Sequence, residues 1–213
     1  MKVFAFNGSP RKGGNIDILL AEAEKAVKAA GHPGNLDHGY QTGHGDHEHE
    51  DHEWTRFDLN SMNIRPCQDC GGCDKSGVCV INDDMVQISQ AIRDADRIIL
   101  ASPVFFFGPS AQTKAMIDRC QAFWCEKYIL KRPLPEGPFR RKGLLLLVGG
   151  MKKEIGIQCS ETTARAFFRT VSVAQHETLG FLDVDEKGAI AKHATALMDV
   201  YRAAEGLVAA DKR

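Results

Sequence analysis

Four cysteines, Cys67, Cys70, Cys73 and Cys79, fall within thirteen residues of a chain that has seven in all. Their spacing is C-x2-C-x2-C-x5-C. Two-residue gaps wrap a chain around a cube with sulfur at alternate corners, which is how bacterial ferredoxins hold three corners of one cluster. Structural zinc sites more often pair two C-x2-C knuckles across a longer stretch. The spacing therefore favours a 4Fe-4S cluster over zinc, with a redox-active dithiol as the third alternative. Gly71, Gly72 and Gly77 let the loop over residues 66–79 turn tightly. The remaining cysteines, Cys120, Cys125 and Cys159, lie apart from this run and receive no role.

Three further stretches could do chemistry. "GSPRKGGN", residues 8–15, combines Gly8, Gly13 and Gly14 with the Ser9 hydroxyl and the Arg11 donor fork, and it opens a helix whose free amides favour an anion. It matches neither a P-loop nor the dinucleotide G-x-G-x-x-G pattern. The alternative is an ordinary tight turn carrying a surface arginine. "SPVFFFG" places three successive phenylalanines just past a buried strand, where at least one must face solvent or a ligand. The other possibility is that all three pack beneath helices. "VGG", residues 148–150, ends another apolar run. Phosphate chemistry at one loop and an aromatic wall at the next suit a mononucleotide with a large flat ring.

These stretches need a frame, and the chain supplies one. Apolar stretches "KVFAFNGSP", closing in a small polar turn, "WTRFDLNSM", "RIILASPVFFF", "KGLLLLVGG", ending in two glycines, and "HETLGFLDV" predict five strands. Helices are expected over "NIDILLAEAEKAVKAAG", "DDMVQISQAIRDAD" with Asn82 or Asp83 as cap, "SAQTKAMIDRCQAFW", "SETTARAFFRTVSVA" and the closing "GAIAKHATALMDVYRAAEGLVAA". Strictly alternating strands and helices imply an α/β protein with a parallel sheet covered on both faces. In such sheets ligands bind beyond the carboxyl ends of the strands, where the three unusual stretches fall.

Composition narrows the function. The chain has 213 residues, 43% of them hydrophobic, and this is enough for one domain over residues 1–213 with a full core that needs no metal staple. A formal charge of −1 gives no field for nucleic acid or an anionic bilayer, and no apolar run approaches the roughly 20 residues of a membrane helix. No leader segment is recognised at the start. A cytoplasmic protein without membrane or nucleic-acid partners is expected. Residues 32–53 carry six of the eight histidines and almost no hydrophobics, so they read as an insertion. Its imidazoles and carboxylates suit zinc, nickel or copper, but the spacing fixes no geometry.

With these motifs in view, the chain resembles the iron-sulfur flavoproteins of the NAD(P)H-dependent FMN reductase superfamily. "GSPRKGGN", "SPVFFFGPSAQTKAMIDR" and "VGG" look like the flavin-contacting segments, and "CQDCGGCDKSGVC" like the compact cluster motif. The resemblance implies a flavodoxin-like three-layer sandwich with a five-stranded parallel sheet. It implies an FMN phosphate held by Ser9, Arg11 and Asn15, beside Gly13 and Gly14, and a flavin ring along Pro103, Val104, Phe105 and Phe106 and near Gly149 and Gly150. It implies an electron-transfer oxidoreductase, working as a homo-oligomeric dimer or tetramer, with ferredoxin or NAD(P)H as donor. Ile16 replaces a hydroxyl residue usual after the asparagine, and Phe105 stands where tyrosine is frequent. Two other functions remain open: an NAD(P)H-dependent FMN or quinone reductase with zinc-binding or redox-sensing cysteines, and a metal-binding sensor that uses the histidine-rich insertion.

Overall fold

The computed structural model describes residues 1–31, 52–135, 137 and 139–209. The histidine-rich stretch lies outside the described residues except for its last two positions. Five strands form a parallel sheet: β1 (Lys2–Asn7), β2 (Glu53–Asp58), β3 (Arg97–Phe105), β5 (Lys142–Val148) and β6 (Gln175–Phe181). Their order is β2-β1-β3-β5-β6, and the two-residue β4 (Gly108–Pro109) folds back antiparallel on the end of β3. This is the flavodoxin-like order, and its reversal point lies between β1 and β3.

Helices cover both faces, because the central strands are apolar on both. Val3, Ala5, Ile99, Leu144 and Leu146 pack beneath α1 (Asn15–Gly31) and α6 (Ala196–Val208). On the other face, Phe6, Ile98, Leu100, Leu145 and Leu147 pack beneath α2 (Met85–Asp94), α3 (Ala111–Arg119) and α5 (Ile155–Thr170). Alternate residues of one strand thus feed opposite cores, as a two-residue period requires. No described helix is long and apolar enough to cross a membrane.

Element ends depart from the expectation in four places. The third helix does not run unbroken to Trp124. It stops at Arg119, restarts as α4 (Gln121–Trp124), and widens into a π turn over Cys125–Ile129. The fourth helix begins at Ile155, five residues before the expected serine. The closing segment is a short 3-10 turn, Ala189–Lys192, and only then α6. The second strand ends at Asp58, and a 3-10 turn over Leu59–Ser61 replaces the last part of the expected "WTRFDLNSM" strand, because the chain turns there towards the cysteine loop. Asp83, one of the two expected caps, accepts the Met85 amide at 3.1 Å, just ahead of α2.

Beyond Phe105 the chain reverses through Phe106 and Phe107, whose φ angles are +47° and +63°. Two consecutive left-handed residues between paired strands are the signature of a type I′ hairpin turn, which normally selects Asn-Gly. Phenylalanine pays for this conformation in strain, on the order of 1–2 kcal/mol per residue. Neither ring recovers the cost by burial, since Phe106 is fully exposed and Phe107 is 45% exposed. Strain of this kind concentrates where a ligand is handled. The double change Phe106→Asn/Phe107→Gly is expected to raise stability by about 1–3 kcal/mol in urea unfolding. Unchanged or lower stability would refute the strain.

Candidate flavin cleft and cysteine site

At the β1/β3 reversal point a cage of hydroxyls ties the loop after β1 to the loop after β3. Ser110 caps α3 by accepting the Thr113 amide, and its hydroxyl donates to the Gly8 carbonyl at 2.6 Å. The Ser110 amide donates to Ser102 Oγ at 2.9 Å, and Thr113 Oγ1 bonds Ser102 Oγ at 3.2 Å. Ser102, Ser110 and Thr113 are all buried. Gly8 is required at this crossing: a Cβ there would lie 1.7 Å from Thr113 Oγ1. The cage therefore fixes the loop after β1 against the loop after β3.

Asn7 secures the same end of β1. Its Nδ2 donates to Asp17 at 2.9 Å and Asp58 at 2.8 Å, and its Oδ1 accepts the Ser9 amide at 3.0 Å. Arg56 bridges the same two carboxylates. Burial would raise the Asp58 carboxyl, but hydrogen bonds from Asn7 and Arg56 outweigh it and hold its pKa below the usual range.

Seven of the expected flavin-binding residues line one cleft: Ser9, Arg11, Asn15, Pro103, Val104, Phe105 and Gly150. The other four lie around it. Gly13 adopts φ +64°, and its amide donates to the Asp17 carboxylate. The Gly14 amide closes a turn on the Arg11 carbonyl, and the Gly149 amide bonds the Phe181 carbonyl. Phe106 points its whole surface to solvent. The aromatic run is thus exposed, not packed beneath helices.

The loop after β6 is the part that sequence reasoning missed. Val184, Asp185 and Lys187 complete the cleft wall. Arg11 donates to the Asp185 carbonyl at 3.1 Å, and Asn15 donates to the Glu186 carbonyl at 2.9 Å. A Cβ on Gly13 would lie 3.7 Å from Lys187 Nζ, so a second cation flanks the phosphate loop beside Arg11. The signal was a polar run, "DVDEKG", at a strand's carboxyl end.

All four cysteines of the compact run line a second cavity, together with Asp74, Arg119 and Gln121. Left-handed Asp69, Gly71 and Gly77 bend the loop around it. Arg119, at the carboxyl end of α3, clamps the loop's exit. Its guanidinium forks onto Asp83 at 2.7 and 3.1 Å and donates to the carbonyls of Arg65 at 2.8 Å and Ile81 at 3.1 Å. Both side chains of the ion pair are only 1% exposed. Burial would lower the arginine's pKa, but Asp83 and the adjoining Cys79 sulfur outweigh it and raise it. Burial would likewise raise the Asp83 carboxyl, but Arg119 and the amides of Arg65 and Met85 hold it low. The clamp is therefore intact above the ordinary carboxylate range and is lost as pH falls through Asp83's depressed value.

A fifth thiol stands beside this cavity. Cys125, at the head of the π turn, has its Sγ 3.6 Å from that of Cys73 and 3.2 Å from Asp74 Oδ1. Burial first, then Asp74 and Cys73, push the Cys125 thiol up to about 12. Burial also raises the Cys73 thiol.

A family model described as NADPH-dependent FMN reductase matches residues 1–174. The chain belongs to that family. Within it, an iron-sulfur flavoprotein of Methanosarcina thermophila is 32% identical over 152 residues, covering 71% of this chain and 65% of the relative. Another, of Archaeoglobus fulgidus, is 31% identical over 160 residues, covering 73% and 67%. The match thus spans about two thirds of these relatives' length. The resemblance read from the motifs is borne out. Among solved structures, an NAD(P)H:quinone oxidoreductase from Methanothermobacter marburgensis shares the fold, with a TM-score of 0.71 at 17% identity over 100% of this chain and 99% of its own.

Two substitutions probe this frame. Gly8→Ala is expected to collapse flavin binding, and Thr113→Ala in that background to restore part of it, read by fluorescence quenching of added FMN. No rescue would show that the Gly8–Thr113 contact is not the cause. Asp83→Asn leaves Arg119 buried and uncompensated, so it should cost about 3–5 kcal/mol in urea unfolding. A loss below about 1 kcal/mol, the range of an exposed pair, would contradict a buried clamp.

Proposed function

We propose that this protein is a flavin-dependent oxidoreductase that binds FMN in the cleft and a 4Fe-4S cluster on Cys67, Cys70, Cys73 and Cys79. It would exchange electrons between a one-electron donor and a small acceptor. The observation that carries the reading is a single cavity lined by all four thiols and by Arg119 at the carboxyl end of α3, the helix whose amino end bonds the loop after β1 through Ser110 and Gly8. A flavin takes electrons singly or in pairs and an iron-sulfur cluster takes them singly, so together they would convert between the two.

The residues present suit both groups. Ser9, Arg11, Lys187 and the first-turn amides of α1 supply hydrogen bonds and positive charge for a phosphate. Pro103, Val104 and Phe105 offer an apolar wall for a flat ring, and Gly150 keeps the opposite side thin, since a Cβ there would press on Asp185 at 3.1 Å. At the cysteine cavity, Arg119 Nε is buried without a hydrogen-bond partner among the described residues. A sulfur-rich anionic group would provide that partner, and it would bring the negative charge that a buried guanidinium favours. A Cβ on Gly72 would meet the Val80 side chain at 2.7 Å, so the loop closes tightly here.

A homo-oligomer is part of this proposal. The exposed rings at Phe105, Phe106 and Phe107 beside the cleft would be covered by a neighbouring subunit. No side chain is assigned as a general acid or base.

Anaerobic purification with iron, sulfide and flavin analysis tests the proposal. The expected result is about four irons per chain with FMN bound. Colourless, iron-free protein that refuses both groups on reconstitution would overturn it. Cys70→Ser should lose the iron and keep the flavin. Arg11→Ala should weaken FMN binding about tenfold or more, since a hydrogen bond to a charged group contributes roughly 1.5–3 kcal/mol.

A further inference from the structure

Cys125 is a buried thiol that the proposed function leaves unused, and its surroundings are those of a partner to Cys73. The two sulfurs are in contact at 3.6 Å, although 52 residues separate them in the chain. Asp74 Oδ1 accepts from the Cys125 thiol at 3.2 Å, and Gln121 Nε2 approaches its sulfur at 3.7 Å. The donor atoms of Cys73, Asp74 and Cys125 all lie within 4.8 Å of one another. Cys125 also begins a π turn, a distortion that recurs at functional sites. Here the wider turn sets the thiol opposite the cysteine loop.

The two sulfurs differ in access. Cys73 is partly exposed and lines the cavity, whereas Cys125 is fully buried. A reagent can therefore reach Cys73, and Cys125 is in contact to displace it from the mixed bond. We infer that Cys73 and Cys125 form a disulfide when the cysteine site is empty of metal, and that this bond locks the site against reloading.

The oxidant is a low-molecular-weight disulfide. Cys73 sulfur attacks one of its sulfurs, the reagent's sulfur–sulfur bond breaks, and the first small thiol departs. Cys125 sulfur then attacks Cys73 sulfur, and its thiol proton passes to solvent. The mixed bond breaks and the second small thiol leaves. In total two protein thiols lose two electrons and two protons, and one small disulfide becomes two small thiols. The chain then keeps three free thiols in a set that needs four. That consequence rests on the proposed metal reading; the disulfide itself does not.

The test uses the full chain, stripped of metal under reductant, exchanged into anaerobic buffer and treated with glutathione disulfide. Free thiols are then alkylated under denaturing conditions and the peptides mapped by mass. The expected result is a Cys73–Cys125 cross-link with Cys67, Cys70 and Cys79 alkylated. Iron uptake by the oxidised chain should fall about tenfold and return after dithiothreitol. Cys125→Ala, with its circular dichroism unchanged, should instead accumulate glutathione on Cys73. Alkylated Cys125 alongside a bond among Cys67, Cys70 and Cys79 would overturn the inference, as would full iron uptake by cross-linked chain. A cross-link in protein whose reduced form also takes up no iron would uphold the pair and overturn the metal reading.

Discussion

The structure depends on the close crossing of Gly8 with Ser110 and Thr113. Here the chain leaving β1 passes so near the start of α3 that a single methyl group would fill the gap. The crossing joins what the topology would otherwise leave as two separate loops, one suited to phosphate and one to a flat ring. Because three hydroxyls bond one another as well as the backbone, each buried oxygen is satisfied without water, and the loops gain a fixed separation. At its other end α3 presents Arg119 to the cysteine loop. Nine helical residues rise about 13 Å, so one rigid element sets the spacing between cleft and cavity.

The two ends of α3 use different physics. The cleft end relies on neutral hydroxyls, which cost little to bury when paired. The cavity end relies on a charge. The cysteine loop cannot be held by apolar burial, since Val78 and Val80 are more than half exposed. Directional bonds hold it instead, as one guanidinium reaches Asp83, Ile81 and Arg65 and so gathers both flanks of the loop. A buried ion pair is weak evidence for overall stability, but it specifies position, because misplacing the loop would leave a charge unpaired.

What could be read from sequence was what is local. Short apolar runs bounded by polar turns located all five parallel strands, since such runs need no tertiary information. Glycines, phenylalanines and cysteine spacing likewise pointed to the two sites. The missed features arise from contacts distant in sequence. The break at Cys120 and the π turn at Cys125 serve a helix that was periodic enough to read as continuous to Trp124. Lys187 meets the phosphate loop only because β6 ends beside β5 and its loop folds over Gly13. Arg119 was given no role from sequence, and only the folded chain reveals the Asp83 carboxylate paired with it.

The same contrast explains why cysteine counting underestimated the thiol cluster. A C-x2-C-x2-C-x5-C run advertises itself, whereas Cys125 belongs to a helical stretch in which a lone cysteine resembles any small apolar residue. Its environment is polar, however: a carboxylate, an amide and a second thiol surround it inside the protein. A purely structural cysteine would be better served by apolar neighbours, as Cys120 is in the same apolar cluster as Met116, Phe123 and Leu134. Both thiols are held protonated by burial, but only Cys125 has a sulfur in contact and an acceptor for its proton. Burial alone therefore does not separate an inert thiol from one placed to react; the partners within bonding distance do.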